Sequence, residues 1–228
     1  MEKKGTLIVF EGTDGSGKST QFSRLCQRVE ESGRDFRRLR FPRYEEESSA
    51  LIRMYLKGDF GQSAGAVNAY AASAFYAVDR YASYQTDWRE DYQRGGLFLL
   101  DRYTTSNAVH QGGKLPAEER RAYFDWLFAF EYEKMELPRP DLVLYLDLPP
   151  EKSMELLQRR QAQTGTAGDI HEGDISYLSD CREAALEAAK AYDWKVISCL
   201  DERGELCSIE DIHQRVWQSV SPYLTGEA

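Results

Sequence analysis

Gly12-Thr13-Asp14-Gly15-Ser16-Gly17-Lys18-Ser19-Thr20 satisfies the pattern G-x-x-x-x-G-K-[ST] at every position, directly after the apolar run Leu7-Ile8-Val9-Phe10. A buried strand therefore feeds a glycine-rich loop. Such a loop curls so that its backbone N–H groups point inward at anionic oxygens, with Lys18 as a mobile cation and the Ser19 hydroxyl able to hold Mg²⁺. Ser19 to Glu31 contains good helix formers and neither Pro nor Gly, so a helix N-terminus faces the same phosphates. The competing reading, a turn that merely links strand to helix, does not require strand, loop and helix in this register.

Outward from that loop, short apolar runs recur at Leu97 to Leu100, Leu142 to Leu146 and Val196 to Ile197, with an Arg-interrupted fifth candidate at Phe36 to Phe41. Helical patterns separate them: Ala64 to Tyr84 continuing towards Arg94, Pro116 to Tyr132, Pro150 to Gln161, Ile175 to Tyr192 and Ser208 to Tyr223. Strands alternating with helices predict an α/β fold with a parallel sheet of five strands covered on both faces. The 228 residues carry no linker or charge block, so one domain over 1–228 is expected. Arg43 to Gly61 and the glycine-rich Gln161 to Asp174 break the rhythm, and the second reads as a mobile loop.

Composition narrows the partners. Lys and Arg number 29 against 38 Asp and Glu, a formal charge of −9, which argues against nucleic acid as a partner because that affinity comes from neutralising phosphates. Cys26, Cys181, Cys199 and Cys207 form no C-x-x-C pair and have no His at zinc spacing, which suits structural thiols in a reducing compartment. His110, His171 and His213 are too scattered for a metal site. The apolar run before Gly12 is too short for a signal-peptide core, and no run approaches membrane-spanning length. A soluble, cytoplasmic protein with no membrane partner is expected.

In an open parallel sheet, ligands lie beyond the C-terminal ends of the strands. That rule selects Gly12 to Lys18, Phe41-Pro42-Arg43-Tyr44, Asp101-Arg102-Tyr103 and, more distantly, Asp147. Asp101 can hold a metal-bound water, and the planar fork of Arg102 suits paired phosphate oxygens; an Asp-Arg ion pair closing the strand is the plain alternative. Arg43 brings a second cation to the rim or is simply solvated. Ala72, Tyr76, Arg80 and Tyr84 share one helix face by i, i+4 spacing, so Tyr76 could stack on a base while Arg80 bonds its carbonyl, against ordinary helix packing. Asp79 is expected to pair with a neighbouring Arg. Arg159 and Arg160 precede the glycine-rich loop, either complementing a helix C-terminus or serving a lid at about 159–174 that closes on the transferring group.

Phe10 to Thr20, Phe41-Pro42-Arg43-Tyr44, Tyr76 to Arg80, Asp101-Arg102-Tyr103 through Ser106-Asn107, and Pro140-Asp141 to Asp147 occur together in an order and spacing that resemble the thymidylate kinase family. The resemblance spans nearly the whole chain and is weakest in the lid and after Lys195. It implies a three-layer α/β/α P-loop NTPase fold that transfers the γ-phosphoryl of ATP to dTMP, giving dTDP and ADP, with Mg²⁺. It also implies a homodimer, which long Ala-rich and aromatic helices would suit. By position, Gly12, Thr13, Asp14, Gly15, Ser16, Gly17, Lys18, Ser19 and Thr20 would hold the donor phosphates, Lys18 on the β/γ oxygens and Ser19 with Asp101 near the metal. Asp14 matches the carboxylate at the acceptor sugar's 3′-hydroxyl, and Arg43, beside Tyr44, and Arg102 match arginines at the acceptor phosphate. Tyr76, Arg80 and Asn107, next to Ser106, match positions around thymine. Some members carry an Arg after the loop Asp, where this chain has Gly15, which assigns the phosphoryl-stabilising Arg to Arg159 or Arg160. His110 stands where many relatives have Tyr or Phe near the sugar. The rival readings are another nucleotide or deoxynucleoside kinase and a non-enzymatic nucleotide-dependent binding module.

Overall fold

Alternation of two buried faces along the strands sets the architecture. The computed structural model describes residues 4–61, 63–164 and 175–225. Strand β1 (Thr6–Gly12) lies between β3 (Leu97–Asp101) and β4 (Leu142–Asp147), with β2 (Arg37–Arg40) and β5 (Lys195–Ser198) at the edges. The five-stranded sheet has the order β2-β3-β1-β4-β5, and every pairing is parallel. Leu7, Val9, Phe98, Leu100, Val143 and Tyr145 point to one face and join one apolar cluster; Ile8, Phe10, Leu97, Leu99, Leu144 and Leu146 point to the other and join a second. With side chains of both parities buried, the central strands read as continuous apolar runs. β2 tolerates its three arginines because only Leu39 must be buried at that edge.

Helices α1 (Lys18–Glu31) and α9 (Ile209–Thr225) cover the second face; Phe22, Leu25, Cys26 and Val29 of α1 fall at i, i+3, i+4 and i+7. The first face carries α3 (Ala69–Ser83), α5 (Thr104–His110), α6 (Ala117–Phe128) and α8 (Ile175–Ala191). The remaining helices are α2 (Ala50–Lys57), α4 (Arg89–Gln93) and α7 (Pro150–Thr164). The family expectation of three layers with a parallel sheet holds.

Several boundaries differ from the sequence reading for identifiable reasons. The expected helix from Ala64 towards Arg94 is not continuous: a 3₁₀ turn (Ala64–Ala66) precedes α3, and a π turn (Tyr84–Trp88) separates α3 from α4. Asn68 starts α3 by accepting the Ala71 N–H at 2.8 Å. The wide turn brings Tyr84, Trp88 and Tyr92 together around Phe98. Pro116 to Tyr132 likewise resolves into α6 and a π turn (Ala129–Lys134). α2, inside the segment with no predicted element, ends at Gly58, whose φ of +87° closes it. α7 runs three residues past Gln161, since helix formers continue to Thr164. Residues 165–174 of the expected lid lie outside the described residues.

Trp88 is fully buried, with its indole N–H on Ser83 Oγ at 3.2 Å and its ring 5.2 Å from Phe98. Trp88→Ala is expected to cost about 3–5 kcal/mol, read as a lower urea midpoint with an unchanged far-UV spectrum.

Candidate active site

The strand ends do converge. The loop between β1 and α1 uses positive φ at Gly15 (+80°) and Gly17 (+81°), and a Cβ at Gly15 would sit 2.6 Å from the Ser153 carbonyl. This curl leaves the first N–H groups of α1 without intrahelical partners, facing a cleft. Lys18, the first residue of α1, is buried and ion-paired with Asp101 at the tip of β3, and Arg40 Nε lies 3.3 Å from the other Asp101 oxygen. Burial and the nearby Arg102 charge lower the Lys18 pKa, with Asp101 opposing them.

Arg102, next in sequence, has φ +71°, an uncommon conformation for a non-glycine residue. Its backbone N–H donates to Phe10 O at 3.2 Å, while Nη2 donates to Asp14 Oδ1 and Nη1 to His110 Nε2, both at 2.6 Å. Burial works to raise the Asp14 pKa, but the charge and hydrogen bond of Arg102, with Lys18 nearby, outweigh it and hold the carboxyl below its ordinary 3.8. Asp101 and Arg102 are thus not paired with each other: one meets the phosphate-loop lysine and the other the loop aspartate.

Beyond them stand α3 and α5. Tyr76 and Arg80, singled out by helix spacing, and Ser106, Asn107 and His110, singled out by the family resemblance, all line the cleft. Arg80 is not free to reach outward with its whole fork. Its Nε donates to Glu131 Oε2 at 2.7 Å, its Nη2 bonds Oε1, and Nη1 is 3.4 Å from the Tyr103 carbonyl. Thr104 Oγ1 also donates to Glu131, at 2.7 Å. Asn107 Nδ2 lies 3.3 Å from the Ser73 carbonyl, and the Ser106 hydroxyl donates to Glu11 at 2.8 Å. Glu11 also accepts from Thr105 Oγ1 at 2.6 Å and Tyr103 N at 3.2 Å, so a fully buried carboxylate of β1 holds the start of α5. Burial raises the Glu11 pKa against the pull of Arg102, Thr105, Ser106 and Lys18.

Arg43 departs from the expected arrangement. Its Nε is 3.3 Å from Asp79 Oδ1 and its Nη2 is 3.1 Å from Ser48 Oγ, which seats it beside α3 outside the cleft lining. Asp79 draws it there by also accepting the Arg43 N–H at 2.9 Å, so the expected Asp79 pairing holds and names its partner. Arg40 occupies the rim instead. Asp147 is taken by a bidentate pair with Arg182 of α8, at 2.6 and 2.9 Å. Arg159 and Arg160 fall on the backbone of α7, and their side chains lie outside the described residues.

Sequence reasoning missed Glu11, Arg40 and Glu131. Glu11 and Glu131 each interrupt an apolar or aromatic run, Val9-Phe10-Glu11 and Phe130-Glu131-Tyr132, which is the available signal for a buried paired charge. Arg40 carries none, since it is one of several arginines near that edge.

One cleft of about 850 Å³ joins these parts. Thr13 to Gln21 with Leu206, Cys207, Ile209 and Ile212 wall one end, Phe41, Tyr44, Tyr76, Arg80 and Asn107 the other, and Arg102, bonded to Asp14, stands between them. Among the described residues, no three His, Cys, Asp or Glu side chains gather to hold a metal. A metal held chiefly by phosphates needs only one or two protein oxygens, and the Ser19 hydroxyl with the Asp101 carboxylate supplies hard ligands of that kind.

A sequence model of the thymidylate kinase family matches residues 10–214. The chain is 33% identical over 171 residues to thymidylate kinase of Mycobacterium tuberculosis, covering 74% of this chain and 78% of that one. It is 30% identical over 191 residues to thymidylate kinase of Bifidobacterium longum, covering 82% and 85%. The solved structure of thymidylate kinase from Candida albicans superposes with a TM-score of 0.70 over 98% of this chain and 94% of that chain, at 22% identity, a likeness of fold.

Arg80 and Glu131 are each almost wholly buried, so removing one partner strands the other's charge. Glu131→Leu is expected to destabilise by about 3–5 kcal/mol, and Arg80→Met with Glu131→Leu to recover most of it, measured by urea unfolding.

Proposed function

Because the chain belongs to the thymidylate kinase family and is a phosphotransferase, we propose that it moves the γ-phosphoryl group of ATP to dTMP, giving dTDP and ADP, with Mg²⁺. The observation that carries this reading is a cleft with a phosphate loop at one end, Tyr76, Arg80 and Asn107 at the other, and Arg102, bonded to Asp14 of the loop, between them. Two nucleotides entering from opposite ends would meet phosphate to phosphate beside Lys18.

Phosphoryl transfer asks the protein chiefly for positioning and charge. In this proposal the loop N–H groups and the α1 N-terminus bind the donor phosphates, and Lys18 stabilises the charge that develops on the transferring group. Its pairing with Asp101 keeps the ammonium at the strand tip despite burial. Arg102 binds the acceptor phosphate, and Asp14 both braces Arg102 and offers an acceptor to the sugar hydroxyl. Tyr76 stacks on the base, and Arg80, held by Glu131, presents Nη1 to the base edge. Mg²⁺, on Ser19 and Asp101, would neutralise phosphate charge. No general base is required, because a phosphate monoester with a second pKa of about 6 is largely dianionic at neutral pH. Arg43, seated on Asp79, is assigned a structural part, and the choice between Arg159 and Arg160 for the lid rests on the family resemblance.

A deoxynucleoside kinase has no use for an arginine at the acceptor phosphate, and a binding module has none for a second, aromatic-walled end of the cleft. We further propose a homodimer through α3, where Tyr70, Ala74, Val78 and Tyr81 share a stripe that leaves Tyr70, Val78 and Tyr81 exposed. The four free cysteines support the proposal of a reducing, cytoplasmic setting.

Purified protein given Mg²⁺, ATP and dTMP is expected to form dTDP; phosphorylation of thymidine in preference to dTMP would replace this reading. Lys18→Met should lower kcat by about 10²–10³-fold, as loss of a preorganised donor does elsewhere. Tyr76→Ala should raise KM for dTMP, the loss of stacking being worth about 1–3 kcal/mol, with little change in KM for ATP.

A further inference from the structure

Arg102 is a strained residue with two side-chain partners, and only one of them is an anion. On one side is the Asp14 carboxylate; on the other is the imidazole of His110, the last residue of α5, with Nε2 at 2.6 Å from Arg102 Nη1. Guanidinium nitrogens carry donors only, so a contact of this length requires a lone pair on Nε2 and places the ring proton on Nδ1. Nδ1 faces Cys181 Sγ at 3.9 Å, and the Tyr177 hydroxyl donates to the His110 carbonyl at 3.1 Å. The ring is thereby bracketed by α8 on one side and Arg102 on the other.

We propose that His110 is a positioning residue for the acceptor phosphate: as the neutral Nδ1–H tautomer it accepts from Arg102 and, with Asp14, fixes the guanidinium at the cleft wall, so that protonation of the ring releases Arg102 and weakens acceptor binding. This rests on the reading of Arg102 as the acceptor-phosphate residue. Protonation turns the Nε2 acceptor into a donor facing a donor and sets two cations side by side. At φ +71° the Arg102 backbone is held by its N–H on Phe10 O, and the direction of the guanidinium depends on its side-chain partners, Asp14 and His110.

Among the described residues, the titratable groups Asp14, Cys181 and Tyr177 beside His110 keep their charge between pH 8 and 5.5. Asp14, held below its ordinary 3.8, stays ionised as pH falls to 5.5. Burial pushes the Cys181 thiol up to about 12 and raises the Tyr177 hydroxyl, so α8 brings no charge. Lys114, on the turn after α5, is lowered to about 8 by burial and so changes charge on the alkaline side. The acceptor phosphate, whose second pKa is about 6, and Glu11, raised by burial, also take up protons as pH falls, and both are common to wild type and His110→Gln, so the difference between the two proteins isolates the ring.

The test combines a spectroscopic and a kinetic measurement on the full chain. Two-bond ¹H–¹⁵N spectra, with His110 assigned by its absence in His110→Gln, are expected to show an Nδ1–H ring with bare Nε2 at pH 7.5. An imidazolium or an Nε2–H ring at that pH overturns the proposal. KM for dTMP is then followed from pH 8 to 5.5 in wild type and in His110→Gln, which has an amide oxygen to accept but nothing to titrate. Wild-type KM should rise at least fivefold more than that of the variant as pH falls, with a smaller change in kcat, while His110→Phe should show a raised KM at every pH. Identical profiles for wild type and His110→Gln overturn the proposal, because the acceptor phosphate alone would then explain the acid limb. An Arg102→Gln protein with wild-type KM for dTMP overturns the assignment of Arg102 and the proposal with it, whereas an adverse tautomer with a raised Arg102→Gln KM overturns only the part played by His110.

Discussion

The position of β1 between β3 and β4 is the constraint on which the site depends. Phe10 lies in register with Asp101 on one side, and Gly12 with Leu146 on the other, so the phosphate loop leaves the sheet where Asp101 and Arg102 also leave it. A shift of one residue in the β1–β3 pairing would exchange the two buried faces and carry Asp101 away from Lys18. The two apolar clusters, one on each face, hold this register. Local charge chemistry is therefore fixed by core packing rather than by the charges themselves.

Given that register, acids organise the cations in and beside the cleft. Asp101 takes Lys18 and Arg40, Asp14 takes Arg102, Glu131 takes Arg80, and Asp79 takes Arg43. Pairing of this kind contributes little net stability, since desolvation offsets much of the attraction. Its consequence is geometric: each guanidinium or ammonium is held at one place before any phosphate arrives, which lowers the reorganisation that binding would otherwise require. A chain of net charge −9 can in this way present a local concentration of positive charge.

α5 shows how acceptor-side and donor-side elements are tied together. Seven residues beginning Thr104-Thr105 have little reason to form a helix alone, because nucleation is costly and β-branched residues lose side-chain freedom. Glu11, one residue before the phosphate loop, accepts from Tyr103, Thr105 and Ser106 and so anchors the helix that carries Ser106, Asn107 and His110. The wall of one end of the cleft is thus fastened to the strand that opens the other.

The sequence by itself determined the phosphate loop, the parallel α/β fold with five strands and the family, because each depends on local patterns: glycine spacing, apolar runs of strand length, and motifs in a fixed order. It also pointed to Tyr76, Arg80 and Arg102, since strand ends and i, i+4 spacing are local properties, and to Asn107 through the family resemblance. The tertiary structure alone decided which acid each cation meets. Arg43 and Arg40 stand three residues apart near one edge, and only the packing of α3 against that edge gives the first to Asp79 and leaves the second at the rim. Glu131 lies 51 residues from Arg80, and a π turn brings the two together. Contacts of such separation depend on how layers pack, and packing is a property of the whole core rather than of any segment.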